Sequence, residues 1–169
     1  LASTVDMAYG NVRLVSSSKE KVLDAGKNWQ KSRKCIKEKM CIPHQGVLHN
    51  RSLFIKYGNF NTAYSISSDY EFIRRILDTA KVEYLNILIT CMQVGGISSN
   101  LKYTFKRLKE IREINKDYGS NIPGPRWLLT YTNACCRGLL ILLVGENYGK
   151  TILDFIRKLS GLPPYWTKL

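Results

Sequence analysis

The sequence has few acidic residues and no long uninterrupted apolar run. It contains 13 Asp and Glu against 26 Lys and Arg, which gives a formal net charge of +13. A positive surface of this size favours anionic partners: nucleic acid, nucleotide phosphates or an anionic membrane face. No stretch reaches the ~18 uninterrupted apolar residues of a clear membrane-spanning helix.

The N-terminal segment also lacks the features of a signal peptide. The stretch "LASTVDMAYG" has neither a basic start nor an apolar core, and it does not begin with Met. We therefore expect a chain that starts within a domain. Its 169 residues suffice for one domain with a hydrophobic core.

Cysteine spacing gives no metal or redox signature. The five cysteines are odd in number and form no CxxC pair; they are Cys35, Cys41, Cys91, Cys135 and Cys136. We expect reduced, buried thiols in a cytosolic protein, with zinc or disulfides as the alternative.

Hydrophobic patterning predicts strands alternating with helices, and hence an α/β protein. Strands are expected at 6–15 and 47–48, with a buried strand or two short ones over 82–94. Helices are expected at 51–57, from Ser68 to about Lys81, from Ser98 or Ser99 to Tyr118, at 126–144 and at 148–159. The lysine-rich stretch 19–40 is expected to be a solvated excursion.

The stretch "SSDYEFIRRIL" (67–77) carries two carboxylates just before an apolar run. Ser68 and Glu71 have the spacing of a capping box, and Asp69 would lie at the positive end of the helix dipole. The same spacing also allows one carboxylate to take part in chemistry.

The only two histidines, His44 and His49, are five residues apart. In an extended segment this odd separation places them on opposite faces, so we do not expect a two-histidine metal site. A single functional histidine remains open.

The segment "GGISS" (95–99) joins a predicted strand to a predicted helix. Free amides at a helix start can bind phosphate, or the segment can be a simple turn with a serine N-cap. The later helix 126–144 is apolar nearly all round and has Arg137 as its only interior charge. It is either a core helix or one that lies in a membrane interface.

Taken in order, several short motifs resemble the acceptor-side half of bacterial family-2 glycosyltransferases. The resemblance covers roughly residues 5–118, and no single motif is diagnostic. In chain order the motifs are Tyr9-Gly10; His44-Gln45 with Arg51-Ser52-Leu53; Gly58 and Phe60; Asp69-Tyr70-Glu71-Phe72 followed by Arg74 or Arg75; and Gly95-Gly96-Ile97-Ser98.

The resemblance implies a partial GT-A domain over 1–118 and a helical C-terminal segment over 119–169. It implies transfer of a sugar from a nucleotide sugar to an acceptor hydroxyl with inversion, in the synthesis of a cell-surface polysaccharide or glycolipid. Asp69 would be the general base, and Glu71 would act as a cap or support. The implied substrate-binding residues are His44, Gln45, Arg74, Arg75, Gly95, Gly96 and Ser98.

The chain departs from the family because it has neither the Asp-Asp-Gly-Ser type nucleotide loop nor the Asp-x-Asp metal motif. The resemblance therefore implies a divalent metal, magnesium or manganese, in a longer enzyme and none bound by this chain. Alone, the chain is expected to be inactive. The implied partners are a nucleotide-sugar donor and a sugar or lipid-linked acceptor.

An alternative is a non-catalytic basic module that binds an anionic polymer or membrane through the helices at 98–118 and 126–159. No RNA-binding signature accompanies the basic helix, so we do not expect nucleic acid. The expected location is cytoplasmic, at the inner face of the cell membrane if the C-terminal segment (119–169) associates with it.

Overall fold

A nine-residue strand, β1 (Met7–Val15), is the centre of a four-stranded sheet. The computed structural model describes residues 4–96 and 100–168. Alternating β-branched and aromatic residues favour an extended chain here, and Met7, Tyr9 and Val12 are fully buried. The strand predicted over 6–15 is confirmed.

Three other strands pair with β1 and make the sheet mixed. β2 (Lys21–Ala25) and β3 (Val47–His49) are both antiparallel to β1 and share one of its edges, at opposite ends. β4 (Val82–Gln93) runs parallel to β1 along the other edge. The strand predicted over 82–94 is present, but the prediction that it is buried was wrong. β4 is an edge strand with many exposed side chains.

The register between β1 and β4 is irregular around Gly10. Tyr9 pairs with Tyr84, but Asn11 pairs with Leu88, so β4 carries additional residues at this point. A Cβ atom on Gly10 would lie 2.8 Å from the carbonyl oxygen of Ile87. Only glycine allows this close approach, which explains the Tyr-Gly pair structurally.

Six α-helices occur in the described residues, and together with the sheet they confirm the α/β class. They are α1 (Trp29–Ile36), α2 (Arg51–Tyr57), α3 (Ser68–Ile76), α4 (Leu101–Asp117), α5 (Pro125–Val144) and α6 (Glu146–Leu159). The side chains of Asn28, Asn50 and Asn100 accept backbone N–H bonds at the starts of α1, α2 and α4. Gly58, at φ +80°, ends α2 as expected. α3 ends five residues earlier than predicted.

The core lies between the sheet and the helices α3 and α4. Phe72, Ile73 and Ile76 of α3 meet Ile111 and Ile114 of α4, and all five are buried. The list of core residues continues with Met7, Tyr9, Ile36, Ile42, Leu53, Tyr70 and Leu77. Burial of this apolar face is the main force that fixes α3 on the sheet.

The segment 19–40 is folded, contrary to the prediction of a solvated excursion. It forms β2 and α1, and Ile36 is fully buried. The hydroxyl of Tyr9 donates to the carbonyl oxygen of Lys27 at 2.6 Å and lies 3.1 Å from Oγ of Ser32. Because the segment is rich in lysine, its composition did not reveal that one of its faces is apolar.

The prediction of buried, reduced thiols was wrong as well. Cys35 and Cys41 are joined by a disulfide with their Cα atoms 6.1 Å apart. Cys91, Cys135 and Cys136 are free and exposed. Local folding of α1 brings Cys35 close to Cys41 across the turn that follows it.

α5 packs on α4, and α6 packs on α5. Nε1 of Trp127 donates to the carbonyl oxygen of Leu108 at 3.0 Å, and the guanidinium of Arg126 pairs with Glu38 at 2.6 Å. Asp154 of α6 accepts from the backbone amides of Tyr165, Trp166 and Thr167 at 2.7, 2.9 and 2.8 Å. These bonds fold the end of the chain back onto the helices.

Candidate functional site

Asp69 lies in the first turn of α3, but the predicted capping box is absent. The N-cap is Ser67 and makes no side-chain capping bond. Glu71 does not reach back to the helix start, because its carboxylate pairs with Arg75 and accepts from the hydroxyl of Tyr118 at 2.9 Å. The capping-box interpretation was therefore wrong, although Asp69 and Glu71 do lie in the first helical turn.

Glu110 of α4 holds the segment that leads into α3. Its buried carboxylate accepts from the backbone amides of Ser65, Ile66 and Ser67 at 3.2, 3.1 and 2.8 Å, and from Oγ of Ser65 at 3.1 Å. A carboxylate that accepts several backbone bonds fixes the chain firmly. Glu110 therefore supports the start of α3, and with it the position of Asp69.

The carboxylate of Asp69 is half-buried, and one hydrogen bond to it is described. Its Oδ1 accepts from the amide of the next residue, Tyr70, at 2.7 Å. No salt bridge to Asp69 occurs within the described parts of the chain. Burial lowers the pKa of Arg107, and the charges of Tyr165 and Asp69 oppose this lowering. Asp69 thus keeps oxygen lone pairs available to a ligand.

The two arginines expected to face a diphosphate are both engaged inside the protein. Arg74 is buried, donates from Nε to Oδ1 of Asn115 at 3.2 Å and lies over the ring of Tyr118. Arg75 pairs with Glu71 and donates from Nη1 to the carbonyl oxygens of Tyr57 and Asn59 at 2.6 and 3.2 Å. In this conformation their donors support α3 and the end of α2.

His44 and His49 face each other, contrary to the prediction. Residues 44–46 form a 3₁₀ turn, so the segment is not extended and the odd spacing does not separate the rings. The two Nε2 atoms are 3.4 Å apart. The rings pack against an aromatic cluster of Phe54, Phe60 and Phe72. Gln45, next to His44, is exposed.

Burial within this cluster lowers the pKa of His49 to about 4, and the neighbouring His44 lowers it further in the same direction. The Nδ1 atom of His49 is buried and has no hydrogen-bond partner among the residues that the structure describes. No group of three or more His, Cys, Asp or Glu suited to a metal occurs in the residues with described coordinates. Burial therefore favours the neutral form of His49, and both rings lie half-buried at the edge of the core.

A cleft of about 350 Å³ opens beside Gly95 and Gly96. Its walls come from the start of α4, from α5 and α6, and from the C-terminal turn. The remaining lining residues are Asn100, Leu101, Arg137, Ile141, Glu146, Lys150, Leu153 and Trp166. Two of the predicted site residues, Gly95 and Gly96, thus border a real concavity. Ser98 lies outside the described residues.

Arg137, which lines this cleft, was missed by sequence reasoning as a binding residue. Nη2 of Arg137 donates to Oγ1 of Thr104 at 3.1 Å, and the guanidinium lies 4.6 Å from the ring centre of Trp166. Burial lowers the pKa of Arg137, and the charge of Arg107 lowers it further. Burial also lowers the pKa of Arg107, against the opposing influence of Tyr165 and Asp69.

Arg137 is the arginine that lines the cleft. The signal available in the sequence was Arg137 itself, a lone charge in an apolar helix. Arg107 could not be distinguished from the other basic residues of α4.

α5 is long and apolar enough to cross a membrane by length and composition. Only 11% of its most apolar window is buried within the protein. It lies along α4, however, and its central Arg137 contacts Thr104 and Trp166. The helix therefore packs on one side and exposes apolar residues on the other.

The sequence comparisons add no relative to this picture. No protein-family model matches the chain, and no curated protein matches it.

Proposed function

We propose that the chain is the acceptor-side part of an inverting glycosyltransferase with a GT-A arrangement, in which Asp69 is the general base. One observation carries the proposal: at the start of α3 the half-buried Asp69 carboxylate forms no ion pair with any described residue, and the one described bond it accepts comes from the amide of Tyr70. The motif order in the sequence supplies the reaction class.

The reaction needs one proton acceptor and a stabilised leaving group. The acceptor hydroxyl oxygen attacks the anomeric carbon, forming the new glycosidic bond as the bond from that carbon to the phosphate oxygen breaks. The hydroxyl proton moves to the Asp69 carboxylate, and the electron pair of the broken bond leaves on the nucleoside diphosphate. A firmly supported base favours this step, and Glu110 provides that support.

In this proposal Arg74 and Arg75 hold α3 in position and do not bind the diphosphate. Arg75 pairs with Glu71, which lies two residues after Asp69. Arg75 also donates to the carbonyl oxygen of Tyr57 and so connects α3 to the end of α2. His44 lies in the aromatic cluster that includes Phe72 of α3, while Gln45 is exposed. The proposed nucleotide and metal sites belong to a donor half that would precede Leu1, with magnesium or manganese as the metal.

The first test is the coding sequence upstream of Leu1, where the proposal expects an Asp-x-Asp motif. In the protein that includes it, Asp69→Asn should reduce sugar transfer by at least about 10³-fold and leave nucleotide-sugar binding nearly unchanged. Asp117→Asn, on the exposed end of α4, is the matched control and should keep activity. Loss of donor binding in Asp69→Asn, or retained transfer, would reject the base assignment.

A second candidate function is attachment to an anionic membrane surface. The helix α6 is amphipathic, but its apolar side faces outward: Tyr148, Phe155 and Leu159 are exposed, while Gly149 and Asp154 are buried. On α5, Leu142 is 81% exposed. Basic residues accompany this apolar surface, as expected for a helix that lies in an interface; they are Arg126, Lys150, Arg157, Lys158 and Lys168.

Co-sedimentation with vesicles tests this attachment. Vesicles with about a third phosphatidylglycerol should bind the chain, and phosphatidylcholine vesicles should bind it much more weakly. Phe155→Ser should weaken binding severalfold, whereas Ile55→Ser on the distant helix α2 should not, although Ile55 is more exposed than Phe155, at 79% against 61%. If Phe155→Ser and Ile55→Ser bind the anionic vesicles equally well, the membrane contact does not involve Phe155.

A further inference from the structure

The geometry points to a zinc site formed by His44 and His49, separate from the proposed transferase chemistry. The sequence argument against such a site assumed an extended segment, in which the two rings lie on opposite faces. The 3₁₀ turn at residues 44–46 instead turns the rings toward each other, with their Nε2 atoms 3.4 Å apart. Two metal-ligating atoms therefore meet at one point on the edge of the core.

The separation of the two Nε2 atoms matches a tetrahedral chelate better than a hydrogen bond. Zinc binds imidazole nitrogen at ~2.0–2.1 Å, so two such bonds at the tetrahedral angle place the nitrogens about 3.3–3.4 Å apart. Hydrogen bonds with an N–H donor are typically ~2.7–3.2 Å long. The observed 3.4 Å lies within the range for zinc and is longer than an ordinary hydrogen bond.

Both histidines lie on rigid elements of the fold. His49 is the last residue of β3 and pairs with the fully buried Met7 of β1. His44 begins the 3₁₀ turn, and Gly46 of this turn packs so closely on β1 that a Cβ atom there would lie 2.8 Å from Cγ2 of Val12. Because folding already orders both ligands, metal binding loses little further conformational entropy.

The surroundings of the pair favour the form of histidine that binds a metal. Only a neutral imidazole offers its Nε2 lone pair, and the packing of both rings against Phe60 disfavours the charged form. Nδ1 of His49 has no hydrogen-bond partner in the described chain, whichever tautomer the ring adopts. Zinc on Nε2 therefore leaves no additional buried group unpaired.

The ligand type selects the metal. Imidazole nitrogen suits zinc, copper and nickel, whereas magnesium and manganese prefer oxygen ligands, and a tetrahedral arrangement favours zinc within the first group. No third His, Cys, Asp or Glu joins the pair in residues 4–96 and 100–168, so two positions on the ion are open to water or to an anionic oxygen of a ligand. The site is thus distinct from the magnesium or manganese site that the resemblance implies for a donor half.

Titration with zinc chloride at pH 7.5, followed by NMR of the imidazole nitrogens, tests the site. The chain has two histidines, so one histidine variant assigns both rings. Exposed thiols also bind zinc, and the background protein therefore carries Cys91→Ser, Cys135→Ser and Cys136→Ser. Zinc should shift the Nε2 signals of both rings, and magnesium chloride should shift neither. A zinc-induced shift in one ring alone, or in neither, would overturn the inference.

Isothermal titration in the same background measures the contribution of each ligand. His44→Gln and His49→Phe should each weaken zinc binding by at least about tenfold, because each removes one of the two ligands. Gln45→Ala, at the exposed neighbour of His44, is the matched control and should change the affinity less than about twofold. Zinc binding retained in either histidine variant, or lost equally in Gln45→Ala, would reject the site.

Circular dichroism identifies a variant that fails to fold, and the NMR shifts of the background protein decide the question without any histidine substitution. Zinc binding requires neither a donor half nor sugar transfer. Its outcome is therefore independent of the transfer assay of Asp69→Asn.

Discussion

The Nε2 atoms of His44 and His49 are 3.4 Å apart, at the edge of a cluster of phenylalanine rings. One imidazole can donate to the other only while at least one of them is neutral. Protonation of His49 would place a charge beside Phe54, Phe60 and Phe72, where no carboxylate contacts it in the described structure. Burial beside these rings therefore favours the neutral form of His49.

The first prediction is a pH dependence of stability caused by His49. Its pKa is 6.5 in an unperturbed chain and about 4 in the folded protein, so the unfolded state binds more protons between these values. The free energy of unfolding should be unaffected by His49 above pH 7 and should fall as the pH drops from 6.5 to 4. Partial solvent contact limits the loss to about 1–2 kcal/mol.

Urea unfolding at pH 7.5 and pH 4.5 measures this loss, and His49→Phe isolates it from the titration of carboxylates. The variant fills the same aromatic site without a titratable group and should lose less stability on acidification than wild type. An identical pH dependence in both proteins would show that His49 is not responsible.

The second prediction concerns the support of α3 by Glu110. Glu110→Gln replaces one acceptor oxygen with an NH₂ group, which would then face backbone N–H donors of Ser65, Ile66 and Ser67. We expect a loss of about 2–3 kcal/mol in the free energy of unfolding, measured by urea denaturation. Glu113→Gln, an exposed residue one turn further along α4, should change stability by less than about 0.5 kcal/mol.

The third prediction concerns the buried pair of Arg75 and Glu71. Arg75→Met keeps much of the side-chain volume but leaves the Glu71 carboxylate with only the Tyr118 hydroxyl as a partner. We expect a destabilisation of about 2–4 kcal/mol by thermal or urea unfolding. Arg33→Met, which breaks the exposed pair with Asp78, is the control and should cost at most about 0.5 kcal/mol. Similar values for both would mean that burial does not strengthen the first pair.

The fourth prediction is a thiol count. Under native, non-reducing conditions a thiol reagent should modify three cysteines, Cys91, Cys135 and Cys136, and after reduction and unfolding it should modify five. Because the disulfide closes a short loop, reduction should lower stability by about 2 kcal/mol. Cys35→Ser combined with Cys41→Ser should reproduce that loss and keep three reactive thiols. Five reactive thiols in the native protein would contradict the pairing.

Helices with a clear apolar period were the most predictable part of the molecule. Leu108, Ile111 and Ile114 follow the spacing of a buried helical stripe, and Gly119 follows the end of α4, so this helix was found nearly to its residue limits. Gly58 follows the last residue of α2, and Pro125 is the first residue of α5. Both residue types are ordinary signals of a helix boundary.

Features that depend on distant partners could not be predicted from local patterns. Glu110 resembles its exposed neighbours in sequence, and only the return of residues 65–67 to α4 makes it a buried acceptor. The two histidines were placed on opposite faces because the pattern did not reveal the 3₁₀ turn at His44. The Cys35–Cys41 bridge depends equally on where α1 ends.

The candidate site was predicted only in outline. The sequence pointed to Asp69, and the structure leaves that carboxylate without an ion pair among the described residues. It also pointed to Arg74 and Arg75, whose donors are engaged elsewhere. The place of Arg137 in the cleft could not be predicted, because the packing of α5 on α4 depends on residues far apart in the sequence.

The strand β4 has a consequence for the assembly of this protein. On the side away from β1 its twelve residues pair with no other strand in the described chain, which leaves a row of backbone donors and acceptors about 40 Å long. Water satisfies them in dilute solution, but a second polypeptide in extended form would satisfy them in regular order. The sheet therefore remains open to growth in one direction, and self-association of the isolated chain should increase with concentration along that edge.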